Sequence, residues 1–183
     1  EMGDEYPGEV KWKTDALDFR ESVSGRRLHK PKRADIVAAD EVLHLVYEQS
    51  QTRYRERRGR GYNLTTHFPW IGMRTAALDG AHIEYFRGIA NPVGVKIGPG
   101  MTREWLQDMV GILNPDKEPG RLTLIHRFGA KAIDDSLPDL TAAVRVTGSP
   151  VLWVCDPIHG NTESTAEGPK TRRFDNIVSE LES

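Results

Sequence analysis

The stretch VGVKIGPGMTREWLQDMVGILNPDKEPGRLTLIH (93–126) decides the fold. It begins and ends with short apolar runs, VGVKI (93–97) and LTLIH (122–126), which show little alternation, as strands buried on both faces should. Between them, residues 102–113 read as a helix. Thr102 is placed to cap it and Glu104 lies in its first turn. Trp105, Leu106, Met109, Val110 and Leu113 form one apolar stripe. Strand, helix and strand at this spacing describe a parallel βα unit.

The same unit recurs outward in both directions. Apolar runs FPWI (68–71) and PVLWVC (150–155) flank the central pair, so successive runs start 25, 29 and 28 residues apart. A helix over about 138–147 fits the last gap, with Ser136 as cap, Pro138 in the first turn and Gly148 as terminator. A helix over about 75–87 fits the first gap, interrupted by Gly80. Upstream, Ile36, Val37, Val42, Leu43, Val46 and Tyr47 recur at helical spacing, which predicts a helix over 35–58 closed by RYRERRGRG (53–61). Residues 1–33 are polar and basic, and GRRLHKPKR (25–33) reads as a solvated connector.

A parallel βα series makes either a (β/α)8 barrel or an open doubly wound sheet. No GxGxxG follows a strand and no GxxxxGK[ST] occurs, so a nucleotide-binding open sheet loses support. Four units fit into 67–183, or five if the first part holds another, whereas a barrel of ~250 residues needs eight. The expectation is a single partial barrel domain over 1–183. In it, 1–66 form a variable connector and helix, and 67–183 carry the site. The chain starts on Glu1 and stops on Ser183 within a helical pattern, so part of a longer barrel is expected.

Composition narrows the function. The 183 residues are 38% hydrophobic and 28% charged, a globular mix. Twenty-five basic and 27 acidic residues leave a net charge of −2, which gives no global case for nucleic acid or an anionic membrane. An RNA-contacting role for RYRERRGRG is disfavoured because no aromatic-rich recognition motif accompanies it. No apolar run approaches the ~20 residues of a membrane helix. A single cysteine suits a reducing compartment, and a cytoplasmic location is expected.

Chemistry in parallel α/β folds lies beyond the carboxyl ends of the strands. There the sequence places Arg74 after FPWI, Lys96 in VGVKI, Arg127 after LTLIH, and Asp156 and His159 after VLWVC. A lysine or arginine at a barrel mouth is costly unless an anion or carboxylate pairs with it. Three on consecutive strands point to a small polyanion, such as a phosphate ester that also bears a carboxylate. His159 holds a titratable group over the mouth; a lone loop histidine is more often hydrogen-bonded than metal-bound. Cys155 reads as a buried strand thiol packing as a small hydrophobe. His29, His44 and His82 read as structural, while spacing leaves the orientation of His67 and His126 open.

Three segments carry a family resemblance: HFPWIGMRTAALDGAHIEYFRGIANPVGVKIGPGMT (67–102), NPDKEPGRLTLIHRFGA (114–130), and VLWVCDPIHGNT (151–162) followed by KTRRFDNIVSE (170–180). They resemble the class II 3-deoxy-D-arabino-heptulosonate 7-phosphate (DAHP) synthases, whereas 1–66 match weakly. The resemblance implies a (β/α)8 barrel that condenses phosphoenolpyruvate with erythrose 4-phosphate to DAHP and phosphate. That reaction opens the shikimate pathway to aromatic amino acids. It implies a divalent metal, manganese or cobalt, and a homo-oligomer. It puts the phosphoenolpyruvate site on Arg74, Lys96 and Arg127, with Lys96 as the candidate catalytic group, and a metal ligand on His159. Met73 stands where the family usually has Glu, and is expected to serve the phosphate through its backbone N–H. The family's other metal ligands, a cysteine near the first strand and a Glu and an Asp near the last, have no counterpart here, nor does its erythrose 4-phosphate loop. The 183 residues alone are therefore expected to be inactive. The alternative reading is a non-catalytic or truncated member that binds a phosphorylated metabolite or a protein partner.

Overall fold

A computed structural model describes residues 37–183, and the expected connector over 1–33 lies outside the described residues. The chain runs β1 (Ala39–Glu41), α1 (Leu45–Gln51), β2 (Thr52–Arg55), β3 (Arg60–Asn63), β4 (Phe68–Ile71), α2 (Ala81–Gly88), β5 (Val93–Ile97) and α3 (Arg103–Leu113). It continues through β6 (Leu122–His126), α4 (Ile133–Thr147), β7 (Val151–Cys155), β8 (Thr162–Ser164), β9 (Lys170–Arg172) and α5 (Phe174–Glu182). Five strands pair in the order β1-β4-β5-β6-β7, every pair parallel, and the sheet does not close. This is an α/β fold with a parallel central sheet of the kind a TIM-type barrel contains. Two antiparallel hairpins, β2–β3 and β8–β9, stand outside it.

The four predicted apolar runs are adjacent strands of this sheet. Strand parity gives the sheet two different faces. Val93, Val95, Ile97, Leu122 and Leu124 join Leu106, Met109, Val110, Leu113, Leu140 and Val144 of α3 and α4 in one core. The opposite face carries Lys96 and exposes Leu152 and Val154 on β7. The Thr102 cap forms as read, its Oγ1 accepting from the Trp105 N–H at 3.2 Å. Gly148 ends α4 in the left-handed region at φ 65°.

Besides α2, which starts at Ala81 with Gly80 at its N-cap rather than near residue 75, two helix readings change. Among the described residues of 35–58, only 45–51 are α-helical. Ala39–Glu41 instead form a fifth strand, paired in parallel with Phe68–Trp70, and the N–H of the buried Val42 donates to the Trp70 carbonyl. Leu43, Val46 and Tyr47 stay exposed, so the apolar spacing there buries no stripe. RYRERRGRG forms most of the β2–β3 hairpin, turned by a 3-10 helix (Glu56–Arg58) and by Gly59 at φ 61°. The second change is in α4, which starts at Ile133, with Ala132 rather than Ser136 at its N-cap and Pro138 inside it. Burial of Ile133 and the acidic pair Asp134 and Asp135 near the helix N-terminus favour the earlier start. Pro138 lacks the N–H that would bond back one turn.

Candidate functional site

The carboxyl ends of β4 to β7 bring the strand-end residues together in one chain of contacts. Lys96 projects from β5 on the face away from the helices, and its Nζ lies 5.7 Å over the Trp70 ring of the neighbouring strand. It donates to Asp156 Oδ2 at 2.7 Å, and the two side chains are 12% and 14% exposed. Asp156 lies in the loop after β7 and also binds the His159 ring, Nδ1 lying 2.7 Å from its Oδ2. Burial would raise the Asp156 carboxyl, but hydrogen bonds and charge from Lys96 and His159 outweigh it and bring it down to about 2. Asp156 is therefore a carboxylate at neutral pH. It also accepts from the backbone N–H groups of Ile158 and His159, which fixes the turn.

Arg127 closes the other side. Its Nη2 donates to the His159 carbonyl at 2.6 Å, and its Nη1 points at Met73 Sδ at 3.4 Å. Met73 opens the 3-10 turn Met73–Thr75 that follows β4. A thioether is a weak acceptor, so it leaves the guanidinium charge unneutralised. Arg127 Nε and Trp70 Nε1 are both buried with no hydrogen-bond partner. Arg74 is exposed in the same turn and forms no ion pair among the described residues. Lys96, Arg127, Met73 and His159 thus share one contact network. Arg74 sits at its edge.

The Arg127 and His159 loops touch backbone to backbone. Gly129, at φ 82°, and Gly160 lie so close that a Cβ built on Gly129 would meet the Gly160 carbonyl at 2.7 Å. Asn161 and Glu180 bind the two loops together. Ala130 N–H donates to Asn161 Oδ1 at 3.0 Å, and Gly129 N–H donates to Glu180 Oε1 at 2.9 Å. Asn161 Nδ2 donates to Glu180 Oε2 at 2.7 Å.

The two undecided histidines do not face the mouth. His67 lies at the amino end of β4, where Nδ1 accepts from the Ala38 N–H at 3.1 Å. His126 pairs in register with Ile97 and Cys155, one residue out of phase with Lys96, and so points to the helix side. There a nitrogen of His126, Cys155 Sγ and a Glu180 oxygen lie within 4.8 Å of one another, a donor set able to hold a metal ion. Cys155 is only half-buried and sits among polar groups rather than in a purely apolar strand position. Burial, then the charges of Glu180 and Asp156, push its thiol up to about 11. Burial also holds His126 below its usual value, against the pull of Glu180. Asp156 and Glu180 are the residues that sequence reading undervalued. Asp156 was visible as the residue before Pro157, but Glu180 gave no signal, because its partners are 19 and 51 positions away.

Among the described residues, a larger cavity lies elsewhere, at the amino ends of the strands, between His67, Phe68 and Pro92 and the hairpin residues Arg55, Arg57 and Arg58. It includes none of the strand-end cations. The convergence of three strand-end cross-contacts carries more chemical meaning than its size.

A parallel βα sheet with a cation-rich centre beyond its strand ends defines an α/β protein, consistent with a TIM-type barrel. The comparisons are more specific: the chain belongs to the class-II DAHP synthetase family, whose model matches residues 1–183. The match therefore includes the first 66 residues, which the sequence motifs alone had left weak. The chain is 46% identical over 147 residues to a phospho-2-dehydro-3-deoxyheptonate aldolase of Streptomyces coelicolor, covering 80% of this chain and 33% of that protein. It is 42% identical over 183 residues to a probable chloroplastic phospho-2-dehydro-3-deoxyheptonate aldolase of Catharanthus roseus, covering 99% and 37%. It is 44% identical over 154 residues to a Mycolicibacterium smegmatis enzyme of the same name, covering 81% and 33%. The chain spans about a third of the length of these relatives. No helix among the described residues is long and apolar enough to cross a membrane.

Proposed function

We propose that this chain supplies the phosphoenolpyruvate half of a DAHP synthase, within a TIM (β/α)8 barrel. The enzyme would join phosphoenolpyruvate to erythrose 4-phosphate and release inorganic phosphate. The observation that carries this reading is the contact chain from Lys96 through Asp156 and His159 to Arg127. It collects two cations from successive strands, while a third, Arg74, stands exposed beside them. The unpartnered Arg127 Nε and the weakly held Nη1 leave donor capacity for an anion. Family membership supports phosphoenolpyruvate as that anion.

In this reading Arg127 and Arg74 bind the phosphate and Lys96 the carboxylate side by charge-assisted hydrogen bonds. The backbone N–H of Met73 adds a neutral donor. Lys96 is the candidate proton donor, with Asp156 holding its ammonium in place. Fixing the substrate against the strand ends supplies rate by positioning, because the reacting atoms must meet at ~3–3.5 Å. His159 fits an imidazole ligand: a Nδ1–H donated to Asp156 leaves Nε2 with its lone pair outward. A divalent metal held there, manganese or cobalt, would polarise the aldehyde oxygen of the sugar phosphate as a Lewis acid. The other ligands would come from outside these 183 residues, and assembly as a homo-oligomer belongs to the same proposal.

The test is a phosphate-release assay on the full-length protein with phosphoenolpyruvate, erythrose 4-phosphate and manganese. Phosphate release that depends on both substrates is expected. Phosphoenolpyruvate binding without turnover would instead identify a non-catalytic metabolite-binding member. Absence of both would refute the assignment of the strand-end cations.

A further inference from the structure

Behind the strand-end network, three side chains meet that the proposed reaction does not use. His126 ends β6, Cys155 ends β7 as its register partner, and Glu180 reaches them from α5. One donor atom of each lies within 4.8 Å of the others. Glu180 is 1% exposed and His126 8%. Glu180 forms no ion pair among the described residues, and its oxygens are met by two neutral donors, the Gly129 N–H and Asn161 Nδ2. A buried carboxylate held only by neutral donors is costly, and such groups are normally paired with a cation or bound to a metal. Independently, Nδ1 of the buried His126 ring has no hydrogen-bond partner. The ring is fixed by stacking on Phe128, with centroids 6.4 Å apart.

We infer that His126, Cys155 and Glu180 form a binding site for a borderline-soft divalent cation of the zinc class, distinct from the centre at His159. Imidazole, thiolate and carboxylate are the donors zinc takes, and a tetrahedral ion needs only one further ligand, such as water. A carboxylate has about four lone-pair positions, so Glu180 binds the ion while still accepting from Gly129 and Asn161. The ion replaces the thiol proton, which leaves to solvent, and compensates the buried carboxylate. Strand parity separates the two centres: Lys96 and its register partners Ile125 and Val154 face one side, and Ile97, His126 and Cys155 face the other. The site pins α5 to β6 and β7. Through the Gly129 and Asn161 hydrogen bonds, it braces the loops that carry Arg127 and His159.

The test uses the full-length protein, stripped of metal with a chelator and titrated with zinc, and follows alkylation of Cys155 in its own peptide by mass spectrometry. Zinc is expected to slow Cys155 alkylation by at least ~10-fold, because coordination occupies the sulfur lone pair that attacks the reagent. The chelator should restore the rate, and magnesium should have no effect. His159→Ala should keep the protection, whereas His126→Ala should lose it. In the His159→Ala background, cobalt should give a thiolate charge-transfer band that Cys155→Ser removes. Unchanged alkylation of the wild-type protein in saturating zinc would overturn the inference, without relying on any variant to fold. Loss of protection in His159→Ala would also overturn it, by assigning the ion to the other centre. Neither readout involves turnover, so failure here is distinct from failure of the proposed activity.

Discussion

Replacing Asp156 by Asn keeps the shape of the side chain and removes its charge, so it isolates what the carboxylate does between Lys96 and His159. The carboxyl sits at about 2 against an ordinary 3.8. That difference corresponds to roughly 2 kcal/mol of stabilisation of the ionised form. Removing one partner of a fully buried pair costs about 3–5 kcal/mol. Lys96 remains 12% exposed and keeps its place over the Trp70 ring, so the lower figure applies. The sign follows from the depressed value. Stability from this group is complete above about 3.8 and is lost as pH falls through about 2. Urea unfolding of the full-length protein should therefore show Asp156→Asn about 2 kcal/mol less stable at neutral pH, and the gap to wild type should narrow below about pH 4. The same change releases the His159 ring, so affinity for the metal proposed at Nε2 should fall about 10- to 100-fold. A variant as stable as wild type at neutral pH would refute the electrostatic account. So would a gap that persists unchanged below the carboxyl's titration.

Three further outcomes are expected. Lys96→Ala and Arg127→Ala should each raise KM for phosphoenolpyruvate, since a charge-assisted hydrogen bond is worth roughly 1.5–3 kcal/mol; steady-state kinetics unchanged in either variant would remove that residue from the site. Gly160→Ala places a Cβ against the Gly129 backbone and should push the Arg127 and His159 loops apart. Turnover should fall on the order of 100-fold, because a shift of ~1 Å in a positioned group costs that much, and the backbone clash should also lower the thermal midpoint. Arg121 donates to the Leu113, Asn91 and Phe86 carbonyls from a part-buried position. Arg121→Ala should destabilise the protein by roughly 2–4 kcal/mol in chemical denaturation, because it leaves buried acceptors unpaired.

The sequence by itself determined the elements whose signal is local. Apolar runs at near-constant spacing marked four parallel strands, because a strand buried on both faces must be continuously apolar. The Thr102 cap and the Gly148 stop were readable, since each depends on bonds or dihedrals within a few residues. The strand-end positions of Lys96, Arg127 and His159 followed from the same register. Other features required the tertiary structure. Ala39–Glu41 is a three-residue, mostly exposed strand with no periodicity, defined solely by pairing with Phe68–Trp70. Asp156 gained its role from a lysine 60 positions away. His126 and Lys96 both end strands, but a one-residue difference in parity sends one to the helices and the other to the mouth. Glu180 is a charged residue near the end of α5, yet it is nearly fully buried, because α5 closes over the ends of β6 and β7. Strand pairing and helix docking join residues far apart in the chain, and no local pattern of side chains encodes which distant group will arrive.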